Sequence, residues 1–151
     1  MKTRARPALV SACLLGVASR HDGASAKDDI LIGQLAGKAI IPVCPEQMGG
    51  LPTPRVPSEI TRGSGEDVLD GKAAVRSRDG RDVTANYLAG AGEVLKLALL
   101  LGAEEAYLKQ NSPACGWGRI TRAGATVPGN GVCAALLARQ KIRVIAAGSD
   151  R

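Results

Sequence analysis

The sequence predicts an α/β fold, a single-domain three-layer Rossmann-like sandwich around a mostly parallel sheet, and three observations carry that reading. Short apolar runs alternate with stretches of helical periodicity, the pattern left by parallel strands joined through crossover helices. The 151 residues fit one domain (1–151) with a single sizeable core. The apolar residues, 45% of the chain, are Ala, Val, Leu and Ile with no Phe, and Trp117, Tyr87 and Tyr107 are the only aromatics. Small aliphatic side chains suit helices packed closely on a sheet.

Taken in order, residues 8–10 read as a first strand, followed by Cys13, Leu14, Leu15 and Gly16 and a polar loop through Arg20, His21, Asp22 and Gly23. A short helix follows, capped by Asp28 or Asp29, with Leu31, Ile32 and Leu35 on its apolar side and Gly37 as its stop. Residues 39–43 form a buried strand in this reading. From 44 to 58 the chain carries Pro45, Pro52, Pro54, Pro57, Gly49 and Gly50, which argue against both helix and central strand. A rigid loop directly after a strand is a favourable place for function. Residues 59–82 are polar, with Asp70-Gly71 and Asp79-Gly80 turns around 72–76, and read as a hairpin or excursion beside the main sheet. The longest helix runs from Asp82 or Thr84 to Leu101, with Tyr87, Leu88, Ala91, Val94, Leu95, Ala98 and Leu99 at helical spacing and Gly102 closing it. A strand at 106–108, a loop over 110–117, a glycine-rich turn (Gly124, Gly129, Gly131), a helix over 132–139 and a strand at 142–146 complete the chain. No internal repeat is visible.

Composition excludes several function classes. The formal charge of +6 leaves room for an anionic ligand, but Arg62, Lys72, Arg76, Arg78, Arg81, Arg119, Arg122, Arg139, Lys141 and Arg143 are scattered. They read as a solvated basic surface, not a nucleic-acid footprint, and the scarcity of aromatics argues against a stacking platform for single strands. The N-terminus has a signal-peptide outline: a basic start, an apolar stretch over 8–18, and Ala24-Ser25-Ala26. Residues 10–13 even imitate a lipoprotein box, yet the apolar run before it is too short and Arg20, His21 and Asp22 interrupt the rest. No stretch approaches the ~20 apolar residues of a membrane span. Four cysteines permit two disulfides of a secreted domain, but an aliphatic chain of this length does not need them. With no Cys-x-x-Cys pair, reduced thiols in a cytoplasmic protein fit better.

Cys13, Cys44 and Cys115 each follow an apolar run that reads as a strand. If those strands are parallel, the thiols emerge at one edge of one sheet, where open α/β sheets bind ligands. Three converging thiols make a soft-metal site one ligand short. A single cysteine would read as a small buried hydrophobe; three in equivalent places point to a shared site. Cys133 sits near the start of a helix beside Ala134, Ala135, Leu136 and Leu137 and reads as core packing. Glu46 lies two residues after Cys44, Ser112 three before Cys115, and Asp22 in the loop after Cys13. His21 is the only histidine, and nothing around Ser11 or Ser112 forms a nucleophile elbow. No glycine-rich phosphate motif opens a helix.

Three segments then stand out together: Val-Ser-Ala-Cys-Leu-Leu-Gly at 10–16, Pro-Val-Cys-Pro-Glu-Gln-Met-Gly-Gly-Leu-Pro-Thr-Pro-Arg at 42–55, and Ser-Pro-Ala-Cys-Gly at 112–116. With residues 79–84 and 128–132 as further landmarks, the chain resembles the TudS-type thiouracil desulfurase (desulfidase) family over nearly its whole length and in order. The resemblance makes residues 8–16 the first core strand and a cluster loop instead of a signal peptide. It implies a 4Fe–4S cluster in a non-redox role, with Cys13, Cys44 and Cys115 as ligands and one open iron. That iron would take the sulfur of a thiocarbonyl, water would attack the ring carbon, and hydrosulfide would leave as a cluster ligand. Glu46 matches the family's catalytic acid, as base for the water or proton carrier for the ring. Ser112 matches a serine that contacts substrate or orients the water. Ser11, Arg20 and Asp22 are further candidates for substrate contact through their nearness to Cys13. The chain departs from the family at His21 (usually Tyr), Asn130 (usually Asp) and Cys133 (usually Thr), none of them a ligand cysteine. The implied substrate is 2-thiouracil, 4-thiouracil or 4-thio-UMP, a small molecule converted to its oxo form with release of sulfide in a C–S hydrolase or lyase reaction. The alternatives are a non-catalytic iron–sulfur or sulfur-binding module, and desulfuration of 4-thiouridine in tRNA. The sequence shows no added domain like those of tRNA-acting relatives, which favours a free base or mononucleotide.

Overall fold

The computed structural model describes residues 5–148, so the extreme ends of the expected domain lie outside the described residues. Strand β1 (Ala8–Ser11) is buried at every position and forms the middle of the sheet. Because side chains alternate along a strand, Leu9 enters one core with Ala106, Leu108 and Leu137, while Val10 enters a second core with Leu14, Leu31 and Leu35. A 3₁₀ turn (Ala12–Leu15) follows and ends at Gly16 with φ +97°, a left-handed conformation that a side chain would resist. Helix α1 (Asp29–Gln34) is capped by the Asp28 carboxylate, which accepts the Leu31 amide at 3.0 Å.

Strand β2 (Ile40–Val43) pairs in parallel with β1, where the sequence predicts a strand, but it is not the buried strand expected. Its residues are half-buried or exposed until Val43. It is an edge strand, the position where Pro42 with its missing N–H is tolerated. The proline-rich segment also departs from expectation, since Pro45–Met48 is a one-turn helix, α2. Proline is accepted at the first helical position because that N–H has no helical partner anyway, and Gly49 ends the turn.

The polar excursion contains the antiparallel pair β3 (Ser58–Ile60) and β4 (Val75–Ser77), as the sequence suggests. It also holds a short helix α3 (Gly65–Leu69), started by a Ser64–Asp67 capping box that the sequence reading passed over. Helix α4 (Thr84–Leu101) and helix α5 (Val132–Arg139) cover the larger core, and between them run β5 (Glu105–Lys109) and a hairpin, β6 (Arg119–Arg122) and β7 (Ala125–Pro128). The sequence marks that hairpin only as a glycine-rich turn. Its two-residue loop is Ala123-Gly124, both with positive φ, so the usual Asn-Gly signature is missing. Strand β8 (Arg143–Ala147) completes an all-parallel sheet in the order β2-β1-β5-β8.

The chain first moves from β1 outward to β2, then returns across β1 to β5. With connections of one hand, this reversal sends α1 to one face and α4 and α5 to the other, giving the three layers the sequence predicts. It also opens a crevice where the direction reverses, at the carboxyl ends of β1, β2 and β5.

Candidate active site

A cavity of about 300 Å³ occupies that crevice, and Cys13, Cys44 and Cys115 all line it. All three are free thiols. Cys13 stands in the 3₁₀ turn after β1, its carbonyl accepting the amides of Gly16 at 3.2 Å and Ala26 at 2.9 Å. Cys44 is the extended residue that ends β2 and opens α2. Cys115 sits on a turn built by Ser112, whose Oγ accepts the amides of Ala114 at 3.0 Å and Cys115 at 3.1 Å. Gly131, at the start of α5, donates to the Gly116 carbonyl at 2.7 Å and has no room for a side chain against Ala114 and Cys115.

Among the described residues, no three His, Cys, Asp or Glu side chains are close enough to hold one metal ion. A polynuclear iron–sulfur cluster instead distributes its thiolates over separate irons. The donor set fits such a group: three soft sulfur donors from three separate segments line one cavity. Burial raises the Cys13 pKa, with Lys109 and Arg20 acting against it. Burial also pushes Cys115 well above the ordinary thiol range, with the neighbouring Cys133 adding to the effect and a hydrogen bond from Ser11 opposing it. Cys133 is buried in the main core, as its sequence context predicts, and its thiol is pushed up to about 12 by burial.

Glu46 projects from α2 into the same cavity with both carboxylate oxygens engaged. Arg55 Nη2 donates to Oε2 at 2.9 Å, and the Tyr87 hydroxyl donates to Oε1. The Arg55 side chain is 4% exposed and also reaches the Ser19 carbonyl at 2.8 Å, Thr53 Oγ1 at 2.8 Å and Cys44 Sγ at 4.0 Å. Sequence reasoning missed both partners as functional groups. Arg55 closes the 42–55 segment that carries the resemblance, but nothing in its local sequence assigns it a role. Tyr87 falls on the apolar stripe of α4 and reads as core. Lys109, which lines the cavity at the end of β5, was likewise unmarked.

The remaining candidates separate. Ser112 lines the cavity with both oxygen lone pairs given to amides, so its hydroxyl is left as a donor. Ser11 is buried, its Oγ accepting the Lys109 amide at 2.9 Å, which ties β1 to β5 beneath Cys115. Arg20 and His21 line the cavity, whereas Asp22 stands outside its wall, accepting the Ala24 amide at 2.9 Å. Arg20 and Lys109 also line a second cavity of about 480 Å³ beside the first, bordered by Lys27 and Asp28. No helix among the described residues is long and apolar enough to cross a membrane.

Comparison with known proteins gives three findings. The family described as 2-thiouracil desulfurase matches residues 8–148. A Bacillus subtilis (strain 168) protein named "Uncharacterized protein YbbK" is 43% identical over 140 residues, covering 91% of this chain and 93% of its own. A solved structure of a [4Fe-4S]-dependent thiouracil desulfidase, TudS, superposes with a TM-score of 0.80 at 39% identity, covering 93% of this chain and 90% of that one.

Proposed function

The chain belongs to the 2-thiouracil desulfurase family, and from that premise we propose that it hydrolyses the C–S bond of a thiolated pyrimidine to the oxo form and sulfide. A 4Fe–4S cluster held by Cys13, Cys44 and Cys115, with one iron open, is the cofactor in this reading. The observation that carries it is that the three thiols and Glu46 face a single cavity. When bound, the cluster supplies a soft Lewis-acidic iron toward the substrate's sulfur.

The chain's own residues supply the rest. Ligand thiols must lose their protons; burial raises the Cys13 pKa against this, and the positive charges of Lys109 and Arg20 offset part of that rise. Glu46, gripped on both oxygens by donors, acts as an acceptor and takes a proton from the water that adds to the ring carbon. The water oxygen adds to the thiocarbonyl carbon as the C=S π pair moves onto sulfur. Loss of the remaining hydroxyl proton then makes C=O as the C–S bond breaks with its pair on sulfur. One of the two water protons thus leaves with the sulfur as hydrosulfide, and the other passes through Glu46 to solvent. No electrons are exchanged with a partner. Ser112, limited to donating, holds the ring or the water by hydrogen bond.

The cavity of about 300 Å³ suits one pyrimidine ring, and the free base 2-thiouracil or 4-thiouracil fits this reading directly. For 4-thio-UMP, the adjoining cavity offers cationic Arg20 and Lys109 to a sugar phosphate. Free thiols and an oxidation-sensitive cofactor suit the cytoplasm.

Anaerobic reconstitution followed by a sulfide assay on 2-thiouracil and 4-thio-UMP tests the reading. Wild-type protein should bind about four irons and release sulfide, and Glu46→Ala should keep the iron while releasing none. Unchanged turnover in Glu46→Ala removes Glu46 from its role. A fully loaded wild type without turnover on either substrate makes the protein a binding module instead.

A further inference from the structure

Three side chains from three separate segments form one part-buried hydrogen-bonded chain beside the cavity. Tyr87, on α4 and 2% exposed, donates to Glu46 Oε1. Arg55 closes the other side at Oε2, 2.9 Å away. The phenol remains protonated because burial, and then the Glu46 charge, raise its pKa well above the ordinary value. It is therefore a permanent donor to the carboxylate.

An ordinary solvated glutamate has free choice of rotamer and of which oxygen it presents. Here both choices are removed. Tyr87 comes from a long helix packed in the main core and cannot follow a swinging carboxylate. Arg55 is fixed by the carbonyls of Ser19 and Pro52 and by Thr53 Oγ1, and its own amide donates to the His21 carbonyl at 2.8 Å. Its Nε is buried without a hydrogen-bond partner among the described residues, an unfavourable state for a buried donor. A guanidinium held in this orientation despite an unsatisfied donor is placed for the groups at its tips, Glu46 and Cys44.

We propose that Tyr87 and Arg55 are positioning residues for Glu46, fixing its carboxylate from both oxygens so that it faces the cavity, with Arg55 also tying that carboxylate to the Cys44 loop. The proposal rests on the desulfidase reading of the site. Neither residue has to touch the substrate. Their loss shows in the chemical step and not in binding, because an aimed base contributes only once the water is attacked.

The test compares wild type, Tyr87→Phe and Arg55→Lys, each reconstituted with iron and sulfide. Loss of such an outer partner typically lowers activity ~10–100-fold. Tyr87→Phe should lower kcat in that range with KM for 2-thiouracil and iron content unchanged. Arg55→Lys, which keeps one charge but not the fork, should lower kcat similarly. A second readout uses the iron-free protein. The Tyr87 hydroxyl proton, shielded from solvent and bonded to a carboxylate, should give a downfield proton resonance that is absent in Tyr87→Phe and shifted or lost in Glu46→Gln. Tyr87→Phe turning over like wild type, or losing activity only in proportion to lost iron, overturns the proposal. So does a Tyr87 hydroxyl resonance indifferent to Glu46→Gln. A wild type that binds no iron and releases no sulfide overturns the functional reading and this proposal together, whereas an active wild type matched by Tyr87→Phe overturns the proposal alone.

Discussion

Gly90→Ala tests how the fold places Glu46. Helix α4 crosses α2 backbone to backbone, with glycine on both sides of the contact. A Cβ on Gly90 would lie 1.8 Å from the Pro45 carbonyl oxygen, and one on Gly49 would lie 2.1 Å from the Asn86 carbonyl oxygen. Since real Cβ atoms stay at least 3.0 Å from such atoms, Gly90→Ala forces a retreat from 1.8 to 3.0 Å, or 1.2 Å. No flexible side-chain tip is available to absorb it. The displaced unit is α2, which starts beside Cys44, carries Glu46 and is held to α4 by Asn86 Nδ2 donating to the Gly49 carbonyl at 2.8 Å. Overpacking of this kind costs ~1–3 kcal/mol, while alanine recovers ~1 kcal/mol of helix propensity. The net loss of stability is therefore only ~0–2 kcal/mol. The effect on chemistry is larger, because a misplacement of ~1 Å in a reacting group can cost ~10²-fold in rate. Gly92→Ala is the control: on the same helix, with nothing within 4 Å of the added carbon, it should gain up to ~1 kcal/mol and keep full turnover. Urea unfolding of the iron-free proteins and sulfide release by the reconstituted ones measure the two effects. If Gly90→Ala matches Gly92→Ala in both, the packing of α4 on α2 does not position the site.

Other perturbations separate the ligand set from its scaffold. Cys13→Ser, Cys44→Ser and Cys115→Ser should each abolish the visible absorption of the reconstituted protein, while Cys133→Ala keeps it; loss in Cys133→Ala would bring that thiol into the ligand set. Ser112→Ala strips the acceptor from two loop amides and should lower stability by ~0.5–2 kcal/mol in urea, with a fall in kcat beyond any loss of iron reporting its donor role. Gly131→Ala places a carbon 2.4 Å from the Ala114 carbonyl carbon and 2.7 Å from the Cys115 amide, so its iron content should fall well below that of Gly92→Ala. Cys133, held up to about 12 by burial, is almost wholly protonated at about pH 8, where a thiol reacts slowly; mass spectrometry after alkylation of iron-free protein should find it modified only once urea is added.

The alternation of apolar runs with helical periodicity was enough to indicate the sheet class, because burial on both faces of a strand and one face of a helix leaves its own spacing. The cysteine motifs and Glu46 were legible for a similar reason: each lies within a few residues of a strand end, so a local pattern places it. Proline chemistry was misread where context decides it. Pro42 is compatible with a strand only because β2 lies at the edge, and Pro45 with a helix only because it stands at the first position. The Ala123-Gly124 turn carried no recognisable hairpin signature at all.

By itself the sequence determined the strands of the main sheet and the helices α1, α4 and α5 that cover it, and which thiols follow those strands, since both follow from short-range periodicity and spacing. The tertiary structure alone decided what surrounds Glu46. Tyr87 lies 41 residues away and Arg55 nine residues away, and nothing local distinguishes Tyr87 from a core tyrosine or Gly90 from Gly92. Such contacts depend on the order of strands in the sheet and on how closely α4 can approach α2. Those are properties of the packed whole, set by which backbones touch, and no window along the chain contains them.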